Sequence, residues 1–76
     1  MFIRVANQSS SSVAFLETCG KIEKINGIEK EELLVDFDGS KIQPYRLNGK
    51  KIVVVNDLDE DVVYIRSEED IDKILK

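Results

Sequence analysis

The sequence predicts a mainly β chain: five or six antiparallel strands in a meander, curled into a small or partly open barrel and followed by a short C-terminal helix. Three observations predict it. The dipeptides Asn26-Gly27, Asp38-Gly39 and Asn48-Gly49 fall twelve and ten residues apart, and such pairs reverse a chain between antiparallel strands because both central residues of a type I′ turn need φ > 0. Leu33, Val35 and Phe37 alternate with Leu34, Asp36 and Asp38, the period of a half-buried strand. Residues 52–55, Ile-Val-Val-Val, are apolar on both faces, as a central strand covered on two sides requires. At 76 residues the chain is read as one domain, 1–76, which at this size buries about 60% of its unfolded surface and leaves a thin core.

Taken in order, residues 2–6 are short, apolar and partly β-branched, which suits a strand that pairs early or lies at an edge. Asn7, Gln8 and the serines 9–12 form a polar loop. The next segment carries two signals: Phe15, Leu16, Cys19 and Ile22 make a helical stripe behind Ser12 as N-cap, while Gly20 interrupts it. The expectation is extended structure, with strands at 13–18 and 21–25 and a bend at Gly20. An α+β arrangement with a helix at 12–19 is the alternative.

A two-residue loop at Asp38-Gly39 sets Phe37 opposite Ser40, Asp36 opposite Lys41 and Val35 opposite Ile42, so the apolar pair faces one side and the ion pair the other. Pro44 has no N–H to donate, so a bend is expected there, or an edge position. Around Asn48-Gly49 the same arithmetic pairs Tyr45 with Ile52 and Arg46 with Lys51, a like-charge pair that hints at an anionic neighbour. Residues 62–65 read as a further strand. Ser67 is placed to cap a helix with Glu68, Glu69 and Asp70 in its first turn, Lys73 and Lys76 in its last, and Ile71, Ile74 and Leu75 as its buried stripe. That helix is the expected cover of the central strand.

Composition excludes several chemistries. There is no histidine, which removes serine–histidine and cysteine–histidine nucleophile pairs. One cysteine and no imidazole cannot close a tetrahedral zinc shell. The chain is therefore read as no enzyme, with no cofactor. Cys19 cannot form an internal disulfide, and no stretch approaches the about 20 apolar residues of a membrane helix. A cytoplasmic chain without a signal peptide and without a membrane partner is the expectation.

Charge is uneven. Residues 41–51 hold Lys41, Arg46, Lys50 and Lys51 with no acid, whereas residues 52–76 hold eight acids against three basic residues, within a net charge of −4. The candidate binding residues are Lys41, Tyr45, Arg46, Lys50 and Lys51. The favoured reading is a non-catalytic module that meets a protein partner through a sheet edge or this basic hairpin. A small-barrel binder of RNA or single strands is the second reading, opposed by the negative net charge. Third comes an acidic face over 57–72 that docks on a basic protein.

Three resemblances complete the reading. The segment Leu33, Leu34, Val35, Asp36, Phe37, Asp38, Gly39, Ser40 is similar to the opening motif of haloacid-dehalogenase-type phosphatases, which implies Asp36 as nucleophile and Asp38 as general acid. Such enzymes need a doubly wound sheet after the motif, and the residues after Ser40 are too few for one. Asp57, Asp59 and Asp61 with Glu68 twelfth resemble an EF-hand calcium loop, the four acids being the candidate metal ligands, although the sixth place is Val62 rather than glycine. The spacing of turns and strands looks like that of Tudor-like and OB-type barrels. Cys19, between Thr18 and Gly20, reads as a semi-buried hydrophobe.

Overall fold

The computed structural model describes residues 1–75. Six strands and two helices follow one another as β1 (Phe2–Asn7), α1 (Ser12–Glu23), β2 (Glu29–Lys30), β3 (Leu34–Val35), β4 (Lys41–Leu47), β5 (Lys50–Asp57), β6 (Val62–Ser67) and α2 (Ile71–Ile74). The sheet runs in the order β1-β6-β5-β4-β2, with β3 sharing the outer edge of β4 beside β2, and every pairing is antiparallel. A mainly β chain with a short C-terminal helix was expected and is present. The sheet does not close into a barrel: β1 lies at one edge and the two-residue strands β2 and β3 at the other.

One face of this open sheet is covered by α1. Residues 13–25 were expected as two strands; instead Ser12–Glu23 is helical, the arrangement held as the alternative. Ser11 is the N-cap, its Oγ accepting from the Ala14 N–H at 3.2 Å. Phe15, Cys19 and Ile22 are buried as the helical stripe demands, while Leu16 is 66% exposed. Gly20 meets open space, and its helix-propensity loss of about 1 kcal/mol is outweighed by the burial on either side of it. Helices of this length owe their stability to such docking.

The three Asx-Gly pairs do three different things. Asn48 (φ 53°) and Gly49 (φ 79°) both take left-handed conformations and close the two-residue hairpin, which pairs Tyr45 with Ile52 and Arg46 with Lys51 as predicted. At Asp38-Gly39 the register is one residue off the expected one: Leu34 faces Ile42 and Val35 faces Lys41. There the Asp36 N–H donates to the Ser40 carbonyl at 2.8 Å and the Gly39 N–H to the Asp36 carbonyl at 3.0 Å, a three-residue loop in which Gly39 alone has positive φ (88°). The strand expected over 33–37 shrinks to Leu34–Val35, and Phe37 projects fully into solvent. Asn26-Gly27 makes no hairpin; it carries the chain from α1 to β2.

Pro44 causes no bend. β4 passes through it, because β2 pairs with Tyr45 and Arg46 and β3 with Lys41 and Ile42, leaving the proline in the seam between them. Its carbonyl accepts from the Glu31 N–H at 3.0 Å, and the buried Gln43 side chain bridges the seam by donating to the Glu31 carbonyl at 2.7 Å. The missing donor thus sits where no strand needs it.

The expected cap of the last helix also moves. Ser67 ends β6 and donates its hydroxyl to the Glu69 carbonyl, and Asp70 caps the shorter α2 by accepting from the Asp72 N–H at 3.1 Å. Glu68 and Glu69 precede the helix. Ile71 is buried and Ile74 packs on the core, Leu75 is 39% exposed, and Lys76 lies outside the described residues. The core is a single layer: Phe15, Cys19 and Ile22 of α1 and Ile71 of α2 against Tyr45, Ile52, Val54, Val63 and Ile65 of the sheet. Most of the cover of β5 comes from α1, not from the C-terminal helix.

Candidate functional site

Side-chain alternation along β4, β5 and β6 divides the sheet into a helix-covered face and an open one. On the covered side lie Gln43, Tyr45, Ile52, Val54, Val63 and Ile65, all buried. The cross-strand partners Leu34, Ile42, Val55, Tyr64 and Val5 then line up as one apolar row across the other side. Pro44, Val53, Arg66 and Ile3 form the next row. No helix or strand covers these rows among the described residues: at their margins Ile3 is 66% exposed, Val5 54% and Leu34 52%, while at the centre Val55 is 7% exposed, with Met1 bordering the same hollow. The sequence signal for this surface was the doubly apolar run 52–55; its second face, Val53 and Val55, is the one without a helix over it.

The predicted basic residues do not converge on one surface. Arg46 and Lys51 are cross-strand neighbours on the open face, while Tyr45 points the other way and is 0% exposed. Lys41 stands at the far end of β4, opposite Asn56. Of the like-charge pair, Arg46 finds its anion within the chain, its Nε contacting Glu31 Oε2 at 2.9 Å, while the neighbouring Lys50 pairs with Glu69, which raises the Lys50 ammonium above its ordinary value.

The acidic candidates are likewise spoken for. Asp57 Oδ1 accepts from the Asp59 and Glu60 N–H groups at 3.0 and 3.1 Å. Asp61 (φ 55°) accepts from the Ser10 hydroxyl and N–H at 2.7 and 2.9 Å, bonds that hold its carboxyl below the usual range. Glu68 sits at the opposite end of β5, where its carboxylate accepts from the Lys51 N–H at 2.5 Å. The four acids of the EF-hand resemblance are thus separated, and no group of three or more possible ligands gathers among the described residues. Asp36 and Asp38 cap their own loop, accepting from the Phe37 N–H at 2.8 Å and the Ser40 N–H at 2.9 Å.

One polar cluster was not foreseen. The Tyr45 hydroxyl donates to Glu23 Oε2 at 2.6 Å, which Lys30 Nζ reaches at 3.3 Å, and Cys19 lies beside the ring. Burial, then the Glu23 bond, then Cys19 push the Tyr45 phenol far up, and burial raises the Cys19 thiol. The bond from Tyr45 and, behind it, Lys30 lower Glu23. The two shifts act at opposite ends of the pH scale. Glu23 contributes stability above the ordinary carboxylate pKa of about 4.3, lost as pH falls through its lowered folded value. Tyr45 contributes below the ordinary phenol value of about 10, lost as pH climbs toward its raised one. In a Tyr64→Phe variant, where Tyr45 is the remaining phenol, alkaline phenolate absorbance is expected to rise only as ellipticity collapses. A reversible phenolate titration near pH 10 in the folded chain contradicts this bond.

No family model matches the chain, nor does any curated protein or solved structure. No helix is long and apolar enough to cross a membrane among the described residues.

Proposed function

We propose that the chain is a non-catalytic interaction module that takes up a protein partner along its exposed sheet edge. The observation that carries this reading is β1: it is paired with β6 from Phe2 to Asn7 and has no strand on its other side among the described residues. The opposite edge is already occupied by β2 and β3. An unpaired edge is a template for an incoming extended segment, with main-chain bonds for affinity and alternate side chains for specificity. Here Phe2, Ile3 and Val5 supply exposed apolar contacts and Arg4 is the only charge in the strand. The register shift after Val5 confines the pairing stretch to the first four residues, 2–5.

Two features favour a protein over nucleic acid. Tyr45 offers no ring for a base to stack on, and Arg46 and Lys50 are paired within the chain. Affinity capture from the native cell is expected to return a partner whose binding slows hydrogen exchange in β1 selectively. A chain that captures nothing, or that binds short oligonucleotides tightly at low salt and loses them at high salt, overturns the reading.

A further inference from the structure

The open sheet face carries a charge pattern that matches its own copy. On β5 the open-face positions are Lys51, Val53, Val55 and Asp57, so a cation and an anion stand at the two ends of one strand, about 20 Å apart. Arg66 of β6 stands one row in from Lys51, beside Val53, its Nε donating to the Met1 Sδ at 3.3 Å, and at the Asp57 end Glu60 lines the same trough. None of Lys51, Arg66, Asp57 and Glu60 has an ion-pair partner among the described residues. Between Lys51 and Asp57, apart from Arg66, lie apolar and aromatic groups: Val53, Val55, Tyr64, Ile42 and Pro44.

We propose that this face is the interface of a symmetric homodimer, in which two sheets pack face to face with their strands antiparallel. A two-fold axis lying between the sheets at right angles to the strands sets β5 of one copy across β5 of the other, running in the opposite direction. Lys51 of each copy then meets Asp57 of the other, and Val53 meets Val55. The operation pairs every end with its opposite, as an isologous contact requires. Two sheets packed this way stand about 10 Å apart and share one interdigitated layer. An acidic or a basic peptide would satisfy only one end of the face and oppose the other. The second face of β5, where Val53 is half-buried and Val55 is 7% exposed, gains from the partner sheet a cover that no helix or strand of the single chain supplies among the described residues. This interface uses the sheet face, which Ile3 and Val5 border, rather than the main-chain edge of β1, and goes beyond the role proposed for that edge, whose N–H and C=O groups a covered face still leaves open.

Analytical ultracentrifugation of the full chain tests it. The expected mass is twice 8.6 kDa, and Val53→Asp, at the centre of the face, is expected to stay folded by circular dichroism while weakening the dimer about a hundredfold or more. Asp57→Asn keeps the acceptor that holds the acidic turn but removes the charge; it is expected to weaken the dimer about tenfold and to flatten its salt dependence. Lys51→Asp and Asp57→Lys each place like charges at both ends of the homodimer, yet mixed together they complement each other, so native mass spectrometry should show the mixed dimer in excess over either homodimer. A monomer at millimolar concentration overturns the proposal. So does a dimer indifferent to Val53→Asp, a mixture with no preference for the mixed dimer, or a different protein found protecting this face from hydrogen exchange.

Discussion

Tyr45→Ala is expected to take away a large part of the chain's stability, whereas Tyr45→Phe leaves it nearly intact. Tyr45 is fully buried at the meeting point of α1, β4 and β5, packed with Cys19, Ile22 and Ile52 in the same core. Truncating a buried aromatic removes its transfer free energy and leaves a cavity, together about 3–5 kcal/mol. A domain of this size has on the order of 4–11 kcal/mol to lose, and a core this thin has little else to rearrange around the gap. The phenylalanine variant keeps the ring and gives up only the bond to Glu23, worth about 1 kcal/mol, and Glu23 retains Lys30 at 3.3 Å. Urea denaturation followed by circular dichroism distinguishes the two. Midpoints for the alanine and phenylalanine variants that fall together would show that the ring is not the keystone of the α1 face.

The second large effect separates neighbouring valines. Val54→Asp is expected to abolish folding and Val53→Asp to spare it. Val54 is 0% exposed under α1, between Gln43 and Ile65 across the strands, and an unpaired carboxylate there has no donor to meet and costs several kcal/mol even after it takes up a proton. Val53 is half-buried on the opposite face, beside Pro44 and Arg66, where the same substitution costs about 1 kcal/mol of strand preference and gains a cation for company. Equal losses from the two variants would contradict the division of the sheet into a covered and an open side.

How much of this was readable beforehand depends on whether the signal was local. Asn48-Gly49 was: both residues occupy the left-handed region and the hairpin register follows from a two-residue loop without reference to anything else. The strands at 52–55 and 62–65 were also legible, from β-branched composition. Residues 13–25 were not, because Gly20 weakens a helix by a known increment while the compensating burial of Phe15, Cys19 and Ile22 exists only when a sheet is present to receive them. Asp38-Gly39 misled by one residue for a related reason. The dipeptide permits both a two-residue and a three-residue loop, and the bonds of Asp36 and Asp38 to Ser40 select the longer one. Of the expected binding residues, Arg46 and Lys51 lie on the surface that stays open, while Tyr45 went to the core because the parity of β4 turns it toward α1.

The amino-acid order alone determined that residues 52–55 and 62–65 are extended, where the tightest reversal lies and that histidine chemistry is absent, since these depend on side-chain shape, backbone freedom and composition at each position. Only the tertiary structure decided that the strands form an open sheet rather than a simple meander, with β1 returning to pair with β6, that α1 rather than the C-terminal helix covers it, and that no helix or strand lies on its other face among the described residues. Those outcomes depend on which surfaces meet at long range, where a few kcal/mol of burial override the weaker preferences written into any single stretch of chain.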